Sequence, residues 1–320
     1  MNMRLFIAIL TYCFFALPTV AQTFPSRPIR IIVPSTAGGA ADLLARLLAQ
    51  HLTTSLGQPV IVDNRPGAGN IIGTDAVAKA MPDGHTLLLA INNHAINASL
   101  YKKLPYDPIK DFAAVSLLAS TPHMLLVHPS LGVKSVNEFI ALTRAQPGKL
   151  NYASAGNGTA AHFAAELFKL NAKVDITHVP YKGLAGAMND TLAGTVQVIF
   201  PSPLTALPHV RSGKLVALAV TTPMRSRSMP ELPTLQESGL PNYVFDSWYG
   251  LLAPRGTPEP VLARIHQAVV QALQVPELQT RLSNEATEPV GSSPQQFTQY
   301  LANEVDKYAR LVKLLDLSAE

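Results

Sequence analysis

Two loops rich in small and hydroxyl residues have the composition of an anion-binding site. The first lies between the apolar run 29–33 and a helical pattern that begins near Asp42. Its small residues are Ser35, Thr36, Ala37, Gly38 and Gly39. The first turn of a helix leaves N–H groups unpaired and carries partial positive charge, and glycine lets a ligand approach the main chain closely. The first loop therefore predicts a site for a carboxylate or another anion.

The second loop repeats these features about 120 positions later. Its candidate ligand-binding residues are Ser154, Gly156, Gly158 and Thr159. Either loop alone can also be an ordinary turn, because glycine is common between strands and helices. One helix start contributes about 0.3–1 kcal/mol at an exposed site and up to ~2 when partly buried, whereas micromolar binding requires about −8 kcal/mol. The two loops together therefore predict a cleft between two domains, in which several charge-assisted hydrogen bonds hold one anion.

Catalysis would need other patterns. Ser154 lies in YASAG, which lacks the first glycine of the G-x-S-x-G motif of serine hydrolases. The nine histidines show no H-E-x-x-H or similar metal spacing, and GNGTAAH is a poor dinucleotide fingerprint. We therefore expect a binding protein that is not an enzyme and has no metal site and no cofactor. The alternative is an exported hydrolase or esterase that uses Ser154 as its nucleophile.

The elements that must position these loops alternate between strands and helices. A first unit has predicted strands at 29–33, 60–62 and 86–90, with helices between them. A second unit opens at HMLLVHPS and repeats the order of strand, glycine turn and helix at the second loop. Strands separated by helices imply parallel pairing with right-handed crossovers. The predicted fold class is α/β, with a mostly parallel sheet flanked by helices in each domain.

The N-terminus has the pattern of a secretory signal peptide. Arg4 precedes an apolar run at 5–17, and small residues stand at Thr19 and Ala21. The run is shorter than the ~20 residues that span a bilayer, so we expect residues 1–21 to be removed on export to a bacterial periplasm. Cys13, the single cysteine of the chain, lies within that segment. The mature protein would therefore have no disulfide and no thiol.

Length and composition indicate a large two-domain protein. After export roughly 300 residues remain, which is too long for one comfortable core. The hydrophobic fraction of 48% and the charged fraction of 14% are typical of a well-buried α/β core. The net charge of +4 is small, and the Lys and Arg residues are scattered. No basic block resembles a nucleic-acid footprint, so nucleic acid is not an expected partner.

Six blocks of sequence point to a known family. They are VPSTAGGAADLLAR, VDNRPGAGNIIGTDAVAKAMPDGHTLLL, LPYDPIKDFAAVSLLA, NYASAGNGTAAHFAAELF, VPYKGLAGAMNDTLAG and PTLQESGLPNYVFDSWYGLLAPRGTP. Through them the chain resembles, over essentially its whole mature length, the solute-binding proteins of tripartite tricarboxylate transporters, the Bug or TctC family. It departs from that family at Ser35, where an aromatic residue is usual, and at Gln197, where an acidic one is common. Ligand identity therefore does not carry over.

The resemblance implies a two-domain periplasmic binding protein fold, type II-like, with two crossover strands and a ligand cleft between the domains. The expected boundaries are a signal peptide at 1–21, domain I at 24–121 and 247–320, and domain II at 122–246. The implied function is to capture a small organic carboxylate: a dicarboxylate, an acidic amino acid or an aromatic carboxylate. The implied partners are the membrane permease subunits of a tripartite tricarboxylate system, and the receptor itself is expected to be a monomer.

Five further residues are candidates for the cleft. Asn92 and Asn93 follow a strand end, where open α/β sheets bind ligands, although turn formation is the alternative. Tyr181 matches a family block and could line the cleft. Asp190 could receive a ligand ammonium or could be a surface acid. Ser202 follows the predicted strand TVQVIF and could reach the cleft from the second domain.

Two polar residues near the helix starts have structural interpretations. Asp42 is expected to tie the first loop or to cap the helix that follows it, rather than to touch an anion. His162 stands one turn into the helix after the second loop. It could donate to a carboxylate, but a packed side chain with satisfied hydrogen bonds is the preferred interpretation.

Overall fold

Two β-sheets with helices packed against them make up the molecule. The computed structural model describes residues 24–181, 183–226, 228–284, 286–314 and 316–317 of the 320-residue chain. The expected signal peptide at 1–21 lies outside these residues. Across the described residues, no helix combines the length and the apolar character needed to cross a membrane.

Eleven strands and ten α-helices are found within the described residues. The strands are β1 (Ile29–Val33), β2 (Val60–Asn64), β3 (Thr86–Ile91), β4 (Phe112–Pro122), β5 (Met124–Val127), β6 (Asn151–Ser154), β7 (Thr177–Pro180), β8 (Val198–Ile199), β9 (Val216–Val220), β10 (Asp246–Pro254) and β11 (Glu288–Pro289). The helices are α1 (Ala40–Leu56), α2 (Ile71–Ala78), α3 (Asn93–Leu100), α4 (Val136–Ala145), α5 (Ala160–Ala172), α6 (Leu184–Leu192), α7 (Pro203–Arg211), α8 (Glu259–Leu273), α9 (Pro276–Asn284) and α10 (Pro294–Leu314).

The first sheet has the strand order β11-β4-β10-β3-β1-β2 in the described part of the chain. Strand β1 pairs in parallel with β2 and β3, whereas β10 is antiparallel to β3 and β4, and β11 is antiparallel to β4. Four of the five residues of β1 are buried, because helices cover both faces of a parallel sheet. This is why the run IRIIV is continuously apolar apart from Arg30.

The second sheet has the strand order β7-β6-β8-β5-β9 among the described residues. Strand β6 is parallel to β7 and β8, and β5 is antiparallel to β8 and β9. Both sheets are therefore mixed, which corrects the expectation of mostly parallel sheets. The reason is that β4, β5 and β10, at the two crossings between the sheets, pair antiparallel with their neighbours.

The chain passes between the sheets twice. Strand β4 ends at Pro122 and β5 begins at Met124, so one extended segment leads from the first sheet into the second. The return runs from β9 to β10. Because β4 and β10 pair along most of their length, the two crossings lie side by side. The strand content of each sheet agrees with the predicted domain boundaries, which remain a prediction.

One apolar core extends across both sheets. It contains Leu88 and Tyr308 on the side of the first sheet and Phe139 and Phe163 on the side of the second. The ring centroids of Phe163 and Tyr308 are 5.3 Å apart. A second core lies between the first sheet and helices α1 and α8. The two sheets therefore share packed side chains beneath the cleft that separates them.

Candidate functional site

A cleft with a volume of about 210 Å³ lies between the two sheets. Its polar lining consists largely of hydroxyl groups and one imidazole, contributed by Thr121, His123, Thr159, Ser202, Ser247 and Thr287. Its apolar lining includes the small side chains of Ala40, Ala155, Ala160 and Ala161. Among the described residues that line it, none is a Lys, Arg, Asp or Glu. Any charge on a ligand here would meet only dipoles and neutral hydrogen-bonding groups.

Two helix N-termini face this cleft from opposite sheets. Ala40 is the first residue of α1, Ala160 is the first residue of α5, and both line the cleft. The first N–H groups of a helix have no partner within the helix, and the helix dipole places partial positive charge beside them. Two such termini directed at one cleft can hold an anion without Lys or Arg.

The two loops before these helices have the same local construction. The first reads GGAAD from Gly38 and the second reads GTAAH from Gly158, and both glycines have positive φ, +84° and +72°. The Gly38 N–H donates to Asp42 Oδ2 at 2.9 Å, and the Gly158 N–H donates to His162 Nδ1 at 3.1 Å. In each loop the fourth residue after the glycine therefore holds the turn. The structural interpretations of Asp42 and His162 are confirmed.

The ionised carboxylate of Asp42 holds the first loop in place. It is 4% exposed, and the Arg46 guanidinium donates to it from Nε at 3.0 Å. The hydrogen bonds from Arg46 and from the Gly38 N–H hold the pKa of Asp42 below its usual value, although burial acts the other way. Asn64 adds a bond to the Ser35 carbonyl at 3.2 Å. Residues 36–39 remain exposed on top of this support.

The second loop rests on a stack of rings. His162 lies on His178 with the ring centroids 4.2 Å apart and the planes 9° from parallel. His178 Nε2 is 2.7 Å from Ser154 Oγ. Burial, and then the neighbouring His162, lower the pKa of His178 to about 4. Burial also lowers the pKa of His162. Since Nδ1 of His162 accepts from Gly158, this nitrogen carries no proton and the ring is neutral.

The predicted site residues reach the cleft to different degrees. Thr159 and Ser202 line it directly. Gly39 is the N-cap of α1 and adjoins Ala40, and the half-buried Ser35 and the exposed residues 36–38 complete that loop. Gly156 and Gly158 shape the second loop, whose Ala155 lines the cleft. Ligand contact by the backbone of the two loops remains a prediction.

Asn92 lies outside the cleft lining, and its side chain forms hydrogen bonds within the protein. Its Nδ2 donates to the Asp246 carbonyl at 2.8 Å and to Tyr308 Oη at 2.9 Å, and its Oδ1 accepts from the Trp248 N–H at 3.1 Å. These bonds join β10 and α10 behind the cleft. Asn93 is the first residue of α3 and also lies outside the lining. Ligand contact by Asn92 and Asn93 remains a prediction, and the alternative, a turn, is here the start of a helix.

Ser154, Tyr181 and Asp190 also lie outside the lining and have protein partners. Ser154 is fully buried below the second loop, where its Oγ contacts His178. Tyr181 Oη donates to Asp190 Oδ2 at 2.6 Å. Burial and this bond raise the pKa of Tyr181 to about 12. Ligand contact by these three residues remains a prediction.

The floor of the cleft was missed by the sequence reasoning. Thr121 and His123 come from the first crossing, and Ser247 and Tyr249 come from the second. Residues two apart along an extended strand share one face. The signal was therefore present: polar residues at i and i+2 in STPHM and in DSWYG, at the two places where the chain was expected to cross between domains.

Hydrogen bonds fix several floor groups. His123 Nδ1 is 2.8 Å from the Phe200 carbonyl oxygen, and His123 Nε2 is 2.8 Å from Ser247 Oγ. Thr121 Oγ1 and Thr287 Oγ1 are 2.9 Å apart. Burial lowers the pKa of His123, so its ring is neutral near pH 7. The cleft thus offers N–H donors at its two helix starts and oriented hydroxyl groups on its floor.

The match to a known family covers most of the chain. A family model described as the tripartite tricarboxylate transporter family receptor, TctC, matches residues 44–317. The chain belongs to this family. It is 38% identical to the protein BugT of Bordetella pertussis over 93% of this chain and 92% of that protein.

Solved structures agree with this family membership. A Rhodopseudomonas palustris protein, Rpa4515 with adipate, is 35% identical with a TM-score of 0.78, covering 92% of this chain and 99% of that one. MatC from the same organism, with bound malate, is 34% identical with a TM-score of 0.74, covering 90% and 100%. This TctC-family chain therefore has the two-domain fold of periplasmic binding proteins.

Proposed function

We propose that this protein captures a small organic carboxylate in the cleft between its sheets and delivers it, in the periplasm, to a tripartite tricarboxylate-type permease. The observation that carries the proposal is the pair of helix starts at Ala40 and Ala160, which face one cleft without Lys or Arg among the described lining residues. Its support from relatives is that adipate and malate, bound by two structural neighbours, are both dicarboxylates.

Tight binding requires favourable contacts at both helix starts. Each terminus alone contributes at most ~2 kcal/mol, so a carboxylate binds tightly only when the backbone N–H groups of both loops contact it. A ligand that contacts both sides stabilises the arrangement in which the sheets are closest. Domain closure is therefore part of the proposal, with the paired crossings β4 and β10 as the connection about which the sheets move.

A charge placed at one helix start tests the site. We expect Ala160→Asp to remove the rise in melting temperature that dicarboxylates produce, because its carboxylate would occupy the same N–H groups and repel the ligand. The matched control is Ala160→Asn, which has nearly the same size without the charge and should retain a measurable shift. An acidic residue in the first turn favours the helix itself, so the unliganded Asp variant should stay folded by circular dichroism.

The opposite helix start provides an independent copy of this test. Ala40→Asp should weaken the same ligands, and Ala40→Asn should weaken them less. Thermal shift and calorimetric titration against mono- and dicarboxylates are the measurements. Equal binding by the Asp and Asn variants at both positions would remove the helix starts from the site. The absence of binding to any carboxylate by the unmodified protein would contradict the proposed function.

A receptor accounts for the geometry better than a hydrolase does. The hydrolase interpretation needs Ser154 to attack a substrate, and the 2.7 Å contact with His178 is the feature it would use. Ser154 is fully buried and lies outside the cleft lining, so a substrate carbonyl has no access to its Oγ. The expected result is no hydrolysis of chromogenic esters by the purified protein. Turnover that disappears in Ser154→Ala would reverse this conclusion.

Export, oligomeric state and delivery are separate parts of the proposal. N-terminal sequencing of the exported protein should locate cleavage near Ala21. Light scattering should give the mass of a monomer with and without ligand. Uptake of a bound acid by cells should require both this protein and a tripartite permease, and uptake that persists without the receptor would contradict delivery.

A further inference from the structure

His123 fixes the direction of one hydrogen bond on the cleft floor. It is 5% exposed, and its two ring nitrogens contact the Phe200 carbonyl oxygen and Ser247 Oγ, each at 2.8 Å. A carbonyl oxygen only accepts, so Nδ1 carries the ring proton and donates. In the neutral ring Nε2 then has a lone pair and no proton. Ser247 must therefore donate its single hydroxyl proton to His123.

Ser247 can therefore form only one kind of hydrogen bond with a ligand in the cleft. A serine hydroxyl has one proton and two acceptor lone pairs. With its proton held by His123, Ser247 Oγ can only accept a hydrogen bond from a ligand. A carboxylate oxygen also only accepts, so it finds no partner at this position. A ligand hydroxyl or ammonium group can donate a hydrogen bond to Ser247 Oγ.

Thr159 supports the same conclusion from the opposite side of the cleft. It lines the cleft, and its hydroxyl donates to the Gly156 carbonyl at 2.8 Å. The Thr159 hydroxyl oxygen can therefore only accept a hydrogen bond from a ligand. The cleft therefore combines N–H donors at the helix starts with two hydroxyl acceptors, Ser247 and Thr159, whose protons are already committed. A complementary ligand has a carboxylate for the first and a hydrogen-bond donor for the second.

The charge of the lining favours a hydroxyl over an ammonium group. Within the described lining there is no Asp or Glu to balance a buried cation, and an uncompensated charge is costly to bury. We infer that Ser247, positioned by His123, is a specificity-determining residue that selects hydroxy-carboxylates over the same acids without the hydroxyl. This inference rests on the proposed function, because it assumes that a carboxylate occupies the cleft.

Matched acids test the inference by calorimetric titration. The pairs are 2-hydroxysuccinate against succinate and 2-hydroxyglutarate against glutarate, with both enantiomers of each hydroxy acid. One neutral hydrogen bond is worth about 1–1.5 kcal/mol, so the better enantiomer should bind about tenfold more tightly than the plain acid. In Ser247→Ala this ratio should fall to about one, because alanine offers no acceptor to the ligand hydroxyl.

A spectroscopic measurement on the unmodified protein tests the positioning role of His123. Nitrogen-15 NMR distinguishes a protonated from an unprotonated ring nitrogen, and His123→Gln assigns the signal. We expect a proton on Nδ1 and none on Nε2 at pH 7.5, both with and without the hydroxy acid. A charged ring, or a proton on Nε2, would overturn the inference even if Ser247→Ala does not fold.

The outcomes separate this inference from the proposed function. Equal affinities for the paired acids would overturn the role of Ser247 and leave carboxylate capture intact. Tighter binding of aspartate than of either hydroxy acid would overturn the choice of a hydroxyl. If no acid of either kind binds, the proposed function fails and the inference fails with it.

Discussion

His94 is a residue whose burial makes stability depend on pH. It is 3% exposed, its Nε2 donates to the Pro108 carbonyl at 2.9 Å, and its ring lies edge-on to Phe112 with the centroids 4.9 Å apart. Burial lowers its pKa from 6.5 to about 4. The folded protein thus keeps this ring neutral at a pH where the unfolded chain protonates it. The stabilisation is complete above pH 6.5 and is lost as the pH falls toward 4.

Replacement of His94 tests this dependence of stability on pH. Between pH 4 and 6.5 one such proton contributes about 1.4 kcal/mol per pH unit to the slope of unfolding free energy against pH. We expect His94→Gln to reduce that slope by about this amount, measured by urea unfolding at several pH values. The unmodified protein, unfolded in urea at the same pH values, is the reference. An unaltered slope in His94→Gln would contradict the neutral buried state.

At the scale of elements, each helix start depends on one side chain from its own first turn. Asp42 in α1 and His162 in α5 both accept the N–H of a glycine with positive φ. The acceptors differ because their surroundings differ. Asp42 is followed four residues later by Arg46, which balances its charge. His162 is followed at the same spacing by Glu166, beside which a second carboxylate would be repelled.

Replacement of His162 tests this dependence. His162→Leu leaves the Gly158 N–H without its acceptor, so we expect a loss of about 1–3 kcal/mol in unfolding free energy and a smaller thermal shift with carboxylates. His162→Asn keeps an acceptor at a similar position and should recover part of both. Urea unfolding and thermal shift are the measurements. If the Leu and Asn variants behave alike, the hydrogen bond has no role in holding the loop.

At the scale of the whole molecule, we expect the two sheets to unfold together because they share one core. Phe163 on α5 belongs to the second sheet's side and packs against Tyr308 on α10, which belongs to the first. Tyr243 adds a bond between its Oη and the Ala164 carbonyl at 2.8 Å. Trp248, the single tryptophan of the chain, lies on β10 in the first sheet and reports on that side.

Loss of the Phe163 ring should therefore be detected at Trp248. We expect Phe163→Ala to lower the unfolding free energy by about 3–5 kcal/mol. The unfolding midpoints measured by tryptophan fluorescence and by far-ultraviolet circular dichroism should fall equally. Leu170→Ala, at a 48% exposed position of the same helix, is the control and should change little. A fluorescence midpoint that stays unchanged while the dichroism midpoint falls would indicate two sheets that unfold independently.

Most of the fold could be predicted because its signals are local. The run 29–33, the small-residue loops and the helical pattern that begins near Asp42 each depend on neighbours in sequence, and the observed elements match them closely. Helix α3 was not predicted, because Asn92 and Asn93 also suit a ligand site or a turn. The mixed pairing of the sheets was missed because the direction of β10 relative to β3 depends on contacts about 160 positions apart in the chain.

The sequence by itself determined the two helix starts that face the cleft, because glycine conformation and unpaired first-turn N–H groups are properties of a few consecutive residues. Only the tertiary structure decided which side chains form the floor. Thr121 and Ser247 meet there because β4 and β10 pair side by side, and the same packing places Asn92 behind the cleft. Pairing between distant strands selects one face of each, and no local pattern specifies that choice.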